Sequence, residues 1–209
     1  MKLINAGYQI LSPINGLEVL KNIERAGRTC YKSENKITDE SASEFVRMII
    51  KSGHESVIEH EKITVLFICD RGVSHEIVRH RLASFSQEST RYCNYSKDKF
   101  NNELTFISPC WINSDKVLED ESIYLNTLNN AERSYFALLN KGWSPQQARS
   151  VLPNSLKTEI VVTANLREWR TIFKQRTSKA AHPQMREIMC SLLDSLKTLL
   201  PVIFDDINY

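Results

Sequence analysis

The sequence predicts an α+β fold: a single domain over residues 1–209 with a central, mostly antiparallel or mixed sheet flanked by helices. Three observations predict it. Helical and strand patterns follow one another without the regular strand–helix–strand alternation of a parallel α/β protein. Residues 62–69, Lys-Ile-Thr-Val-Leu-Phe-Ile-Cys, are apolar on both faces of a strand, as the interior of a sheet requires. No repeat, low-complexity tract or linker divides the 209 residues, and a chain of that length buries about 70% of the surface its unfolded form exposes.

Periodicity and stop signals give the elements in order. After a short N-terminal segment, Ile14, Leu17, Leu20 and Ile23 recur at helical spacing and predict a helix over about 15–26 that stops near Gly27. Thr38 reads as an N-cap, with Asp39 and Glu40 favourable in the first turn of a helix that carries Phe45, Val46, Ile49 and Ile50 to Gly53. A polar stretch, 53–60, leads into the central strand. Asp70-Arg71-Gly72 then predicts a turn, Ser74 caps a short helix over 75–81, and the residues up to 92 leave that helix as a loop.

Residues 103–107 predict another strand, closed by Ser108-Pro109. Leu118, Leu125, Leu128, Tyr135 and Leu139 mark a long helix from about 115 to 140, ended by Gly142. Ser144-Pro145 starts a short helix carrying Arg149 and ending before Pro153. Residues 157–163 are rich in β-branched side chains and predict a strand. Asn165 with Glu168 has the form of a capping box, and Leu166, Trp169, Ile172 and Phe173 give its helix an apolar face. After a break at 177–182, Pro183 opens the last helix, which runs through Met185, Ile188, Leu192, Leu196 and Leu199.

Composition narrows the function classes. A net charge of +2 is too small for bulk attraction to nucleic acid, so any basic site is local. No apolar run has the flanks of a signal peptide or the roughly 20 residues of a membrane span, which makes the cytoplasm the expected location. Five scattered cysteines without a C-x-x-C pair indicate neither a disulfide framework nor a thiolate zinc site, and most are expected in the core.

Residues 79–92 carry the strongest chemical signal. Arg79, His80 and Arg81 lie side by side, followed by the hydroxyls of Ser84, Ser86, Ser89 and Thr90 and a further guanidinium at Arg91. Adjacent guanidiniums repel one another unless anions share them, so the stretch points to a ligand bearing phosphates or carboxylates. Arg149, Arg167 and Arg176 add permanent cations further along. A metal site from His54, His60, His75 and His80 is disfavoured, because their spacings put neither pair on one helical face and no carboxylate-rich partner completes a set.

These residues also resemble a known family. Arg79-His80-Arg81 followed by Ser84, Ser89 and Arg91-Tyr92 is similar to the signature of the flavin-dependent thymidylate synthases. Three further segments resemble that family in the same order: Gly53-His54-Glu55-Ser56 with Glu59-His60, Ala148-Arg149-Ser150-Val151-Leu152-Pro153, and Thr163-Ala164-Asn165-Leu166-Arg167-Glu168-Trp169. The matches run from Arg28-Thr29-Cys30-Tyr31 to about residue 187 and cover nearly the whole chain. Departures occur at Thr171, where relatives carry an amide that contacts flavin, at Ser86-Gln87-Glu88, and at Ala181-His182-Pro183-Gln184.

The resemblance implies reductive methylation of dUMP to dTMP, with 5,10-methylenetetrahydrofolate as carbon donor and NADPH-reduced FAD as hydride donor. It implies a homotetramer with sites shared between subunits, and no nucleic-acid or membrane partner. Carried over residue by residue, Glu76, Arg79, Gln87, Ser89, Arg91, Arg149 and Arg176 contact dUMP. His54, Ser56, Glu59, Arg79, His80, Arg81, Gln87, Asn165 and Arg167 contact FAD. Arg176 is the catalytic candidate, a fixed cation beside the uracil ring. Ser89 has no evident base and orienting carboxylate beside it and reads as a hydrogen-bonding group rather than a nucleophile. Two competing readings are a nucleic-acid module that stacks bases on Phe85 and Tyr92, and a homologue that binds flavin and nucleotide without turnover.

Overall fold

A computed structural model describes residues 1–112 and 119–209, and its elements are those of an α+β protein with antiparallel and parallel pairing. The N-terminal segment holds two short strands, β1 (Lys2–Ile4) and β2 (Gly7–Ile10), which have too few residues to declare a period. α1 (Gly16–Thr29) starts where Asn15 Oδ1 accepts the Glu18 N–H. It runs through Gly27 instead of stopping there. A Cβ at that position would lie 2.6 Å from the Phe45 ring, so the glycine serves close helix packing rather than termination.

α2 (Ser41–Lys51) begins three residues beyond Thr38, the predicted cap. Ser41 is the reason: its Oγ accepts the Thr38 N–H at 2.9 Å and lies 2.8 Å from Oε2 of the buried Glu24. Gly53 ends the segment in the left-handed region, φ +72°, as its position after the helix predicts. A turn of 3-10 helix, Glu55–His60, then leads into β3 (Lys62–Asp70). α3 (Arg71–Ile77) follows β3 directly, because Asp70 Oδ1 accepts the Val73 N–H at 2.7 Å. Residues 70–72 are therefore a helix start, not a turn, and Ser74 lies inside the helix: a carboxylate at the strand end captures the cap first.

The stretch predicted as a loop contains a strand, β4 (Ser84–Gln87). Its polar sequence carries no strand signal, and pairing comes from its neighbour. β5 (Thr105–Ile107) pairs parallel with β1, Leu3 opposite Phe106. α4 (Glu119–Asn140) ends before Gly142, φ +89°, while the first residues of its predicted span, including Leu118, lie outside the described residues. α5 (Pro145–Ala148) has the Ser144–Gln147 capping box, and Arg149 falls in the 3-10 turn that follows it.

β6 (Lys157–Asn165) completes a four-stranded sheet in the order β2-β3-β6-β4, in which β3 is interior as its two apolar faces predict. α6 (Leu166–Arg176), α7 (Pro183–Leu199) and α8 (Pro201–Phe204) finish the chain. No helix among the described residues is long and apolar enough to cross a membrane.

Contacts divide the chain into two compact units, neither contiguous in sequence. The first comprises residues 1–7, 67–79 and 86–160, and the second residues 8–66, 80–85 and 161–209. The first has a core of Tyr95, Leu104, Phe106, Leu128, Tyr135 and Leu156. In the second, Trp169 stacks on Phe173 and donates from Nε1 to the Ile63 carbonyl at 3.0 Å. Of the five cysteines only Cys69 is buried, correcting the expectation of mostly core thiols: Cys30 closes α1 at the surface and Cys110 is exposed. Burial pushes the Cys69 thiol up to about 12.

Candidate active site

In the first unit, the end of β3 places Arg71 on a cleft of about 420 Å³ that Thr90, Arg149, Ser150 and Asn154 also line. Asn154 fixes this corner by accepting the Arg71 N–H on its carbonyl at 2.8 Å. Arg149 Nη1 donates to Oγ1 of the buried Thr90 at 3.2 Å. Two guanidiniums and neutral hydroxyls, with no carboxylate among the described residues lining the cleft, make a receptor for a dianion such as a phosphate monoester.

The neighbouring signature residues are held by local bonds. Ser89 Oγ accepts the Arg91 N–H at 3.3 Å, and its carbonyl accepts the Tyr92 and Cys93 N–H groups. Arg91 is exposed and lies over the Tyr92 ring, 5.4 Å from its centroid. Gln87 Nε2 donates to Ser74 Oγ at 2.8 Å and Thr158 Oγ1 at 3.2 Å, contacts that use the amide donor a carboxylate would lack. The carboxylate of this stretch is Glu88, which accepts from Lys157 Nζ and the Tyr95 hydroxyl. Glu76 is half-buried on α3, and Arg79 is exposed just past its end.

In the second unit, the 3-10 turn after Gly53 leaves His54, Ser56 and Glu59 exposed. Glu59 Oε1 accepts from Arg167 Nη1 at 2.6 Å, an exposed pair that orients both side chains while contributing little stability. Asn165 Oδ1 accepts the Glu168 N–H at 2.8 Å and starts α6, so half of the predicted capping box is made. The Glu168 carboxylate turns instead toward His80, with Oε1 3.5 Å from Nδ1. On the other side of the imidazole, Arg176 Nε donates to His80 Nε2 at 2.9 Å. Burial, and secondarily the Arg176 charge, pushes His80 down to about 4, so the ring is neutral near pH 7. Arg81 is exposed.

The structure thus sorts the sequence-predicted residues. Glu76, Arg79, Gln87, Ser89, Arg91 and Arg149 lie in the first unit, while His54, Ser56, Glu59, His80, Arg81, Asn165, Arg167 and Arg176 lie in the second. The boundary falls between Arg79 and His80, inside the basic triplet. Sequence reading missed Arg71, placed in a turn, and Glu168, seen only as a capping residue; Asp70 at the strand end was the signal for the first. Among the described residues no group of three or more His, Cys, Asp or Glu side chains is placed to hold a metal ion.

The profile of the family described as thymidylate synthase complementing protein matches residues 16–202. A flavin-dependent thymidylate synthase of Corynebacterium efficiens is 35% identical over 208 residues, covering 92% of this chain and 80% of that protein. One from Mycolicibacterium gilvum is 33% identical over 200 residues, covering 88% and 78%. A solved structure of the UMP/dUMP methylase PolB from Streptomyces cacaoi, bound with 5-Br dUMP, has the same fold: TM-score 0.77 at 22% identity, over 98% of this chain and 96% of that one. With the profile spanning most of its length and relatives above 30% identity, the chain belongs to the flavin-dependent thymidylate synthase family.

Proposed function

We propose that this protein converts dUMP to dTMP by reductive methylation, with 5,10-methylenetetrahydrofolate as carbon donor. The observation that carries the reading is the cleft on which Arg71, Arg149 and the buried Thr90 converge, which suits the phosphate of a nucleoside monophosphate. Arg79, Arg91, Ser89, Gln87 and Glu76 complete the nucleotide's contacts. Homology to enzymes named for their flavin dependence supports FAD as cofactor.

The donors of the second unit fit that group. Asn165 and Arg167 sit at the N-terminal end of an 11-residue helix, where the positive end of the helix dipole and the Arg167 guanidinium suit a pyrophosphate. The Leu166 and Glu168 N–H groups are already taken, by the Glu61 carbonyl and the Asn165 side chain. Arg81, Ser56 and His54 add further donors, and Glu59 orients Arg167. His80, buried with Nε2 accepting from Arg176, acts through that arginine rather than as a donor of its own. Bound FAD, reduced by NADPH, supplies the hydride that turns the transferred one-carbon unit into a methyl group.

The chain's own residues supply position and charge. C5 of uracil is a poor nucleophile until electron density moves into the ring from N3 and its flanking carbonyls. Arg176, a permanent cation held at Nε by His80, stabilises that developing charge. The enzyme works as a cytoplasmic homotetramer with sites shared between subunits; the exposed Tyr31, Leu82 and Tyr92 are apolar surface for partner subunits to cover.

Purified protein is expected to be yellow, to bleach with NADPH in the absence of oxygen, and to form dTMP once dUMP and the folate are added. A colourless preparation that takes up no added FAD overturns the reading. Within it, Arg149→Ala weakens dUMP binding about 10- to 100-fold in calorimetric titration, the effect of losing one charge-assisted hydrogen bond, while the flavin spectrum is retained. Unchanged dUMP affinity would remove Arg149 from the phosphate site.

A further inference from the structure

Glu168 is a buried charged group beside the proposed chemistry that the mechanism leaves unused. Its carboxylate and the His80 imidazole have side chains only 8% and 6% exposed, and the two face each other at 3.5 Å, an ion-pair distance longer than an ordinary N–H···O hydrogen bond. A guanidinium can only donate, so the 2.9 Å contact of Arg176 Nε with His80 Nε2 requires that Nε2 carry no proton. The single proton of the neutral ring then sits on Nδ1 and faces Glu168 Oε1. The alternative tautomer sets two N–H groups against each other at Nε2 and leaves a bare Nδ1 beside a carboxylate.

We propose that Glu168 is a positioning residue: it holds His80 as the Nδ1–H tautomer, and His80 in turn anchors Arg176 through Nε, fixing the plane of the guanidinium that meets the pyrimidine. A carboxylate at this place is itself supported by the fold, since Glu168 lies in the first turn of α6, where the helix dipole favours negative charge. Second-layer carboxylates that set the tautomer of a functional histidine act in the same way in other sites.

The role assigned to Arg176 rests on the proposed synthase activity; the tautomer does not, so two measurements separate them. In ¹⁵N-resolved spectra of the flavin-loaded protein, His80 is expected with a protonated Nδ1 and an unprotonated Nε2. In Glu168→Leu that assignment is lost or the ring exchanges between tautomers. In turnover, Glu168→Leu lowers kcat at least about 10-fold, the tenfold that 1.4 kcal/mol of lost orientation gives, with KM for dUMP within about 2-fold and flavin content unchanged. Glu168→Gln, whose Oε1 still accepts the Nδ1 proton, restores kcat to within about 3-fold of wild type. A proton on Nε2 in the wild type, or Gln falling as far as Leu, overturns the proposal. If the wild-type protein forms no dTMP, the spectra alone decide the anchoring and only the synthase reading fails.

Discussion

Arg176→Ala lowers dTMP formation by about 100- to 1000-fold, the loss seen when one preorganised donor to a developing charge is removed. Arg176→Lys does little better. The geometry explains why: Nε is committed to His80 at 2.9 Å, so in the proposed role the guanidinium has to reach the pyrimidine edge with its Nη nitrogens while Nε keeps its anchor. Lysine has one nitrogen and cannot serve both directions. The flavin spectrum and FAD content should stay unchanged in both variants, because the residues proposed to hold flavin include other cations, Arg81 and Arg167. Single-turnover dTMP formation with pre-reduced enzyme is the decisive measurement, since it bypasses the reduction by NADPH. A single-turnover rate within about 3-fold of wild type would take Arg176 out of the chemistry.

Arg170→Leu destabilises the fold by about 3 kcal/mol, at the lower end of the cost of breaking a buried ion pair. Arg170 is 2% exposed, and its guanidinium is shared among three acceptors. Nη1 and Nη2 grip Asp206 at 2.6 and 2.7 Å, Nε donates to Glu55 at 3.2 Å, and Nη1 also donates to the Ile203 carbonyl. The lower end applies because Asp206 is half exposed and regains water when its partner goes.

The pH dependence has a fixed sign. Hydrogen bonding from Arg170 holds the Asp206 carboxyl below the usual carboxylate range. A group whose folded pKa is depressed stabilises fully above its unfolded pKa, near 3.9, and loses that contribution as pH falls through the folded value. Urea unfolding of both proteins should therefore show a gap that is constant near neutrality and shrinks below about pH 4. A gap under about 1 kcal/mol at pH 7, or one that does not close in acid, would contradict this account. Glu55 lies between His54 and Ser56, so the variant also tests whether this clamp steadies the segment proposed to meet flavin.

Most elements whose signals are local could be read from the residues alone. β3 declared itself by apolar residues on both faces, α6 by Asn165 three residues ahead of Glu168, and the ends of α2 and α4 by Gly53 and Gly142, both with positive φ. The sequence also named the ligand class, because Arg79, Arg81, Arg91 and Arg149 are permanent cations that a fold has no reason to collect without an anion. Motif spacing carried the family in the same local way.

Tertiary structure decided what depends on partners distant in the chain. β4 is a strand because β6 offers it a backbone ladder, and nothing in Ser-Phe-Ser-Gln says so. Gly27 reads as a stop until the Phe45 ring is set against it. The triplet Arg79-His80-Arg81 reads as one cationic cluster, yet the fold assigns Arg79 to the first unit and turns His80 into a buried, neutral acceptor. Only packing can withdraw a charge in this way, because a histidine's protonation is set by the water it loses and the guanidinium it meets, and neither is written in its neighbours along the chain.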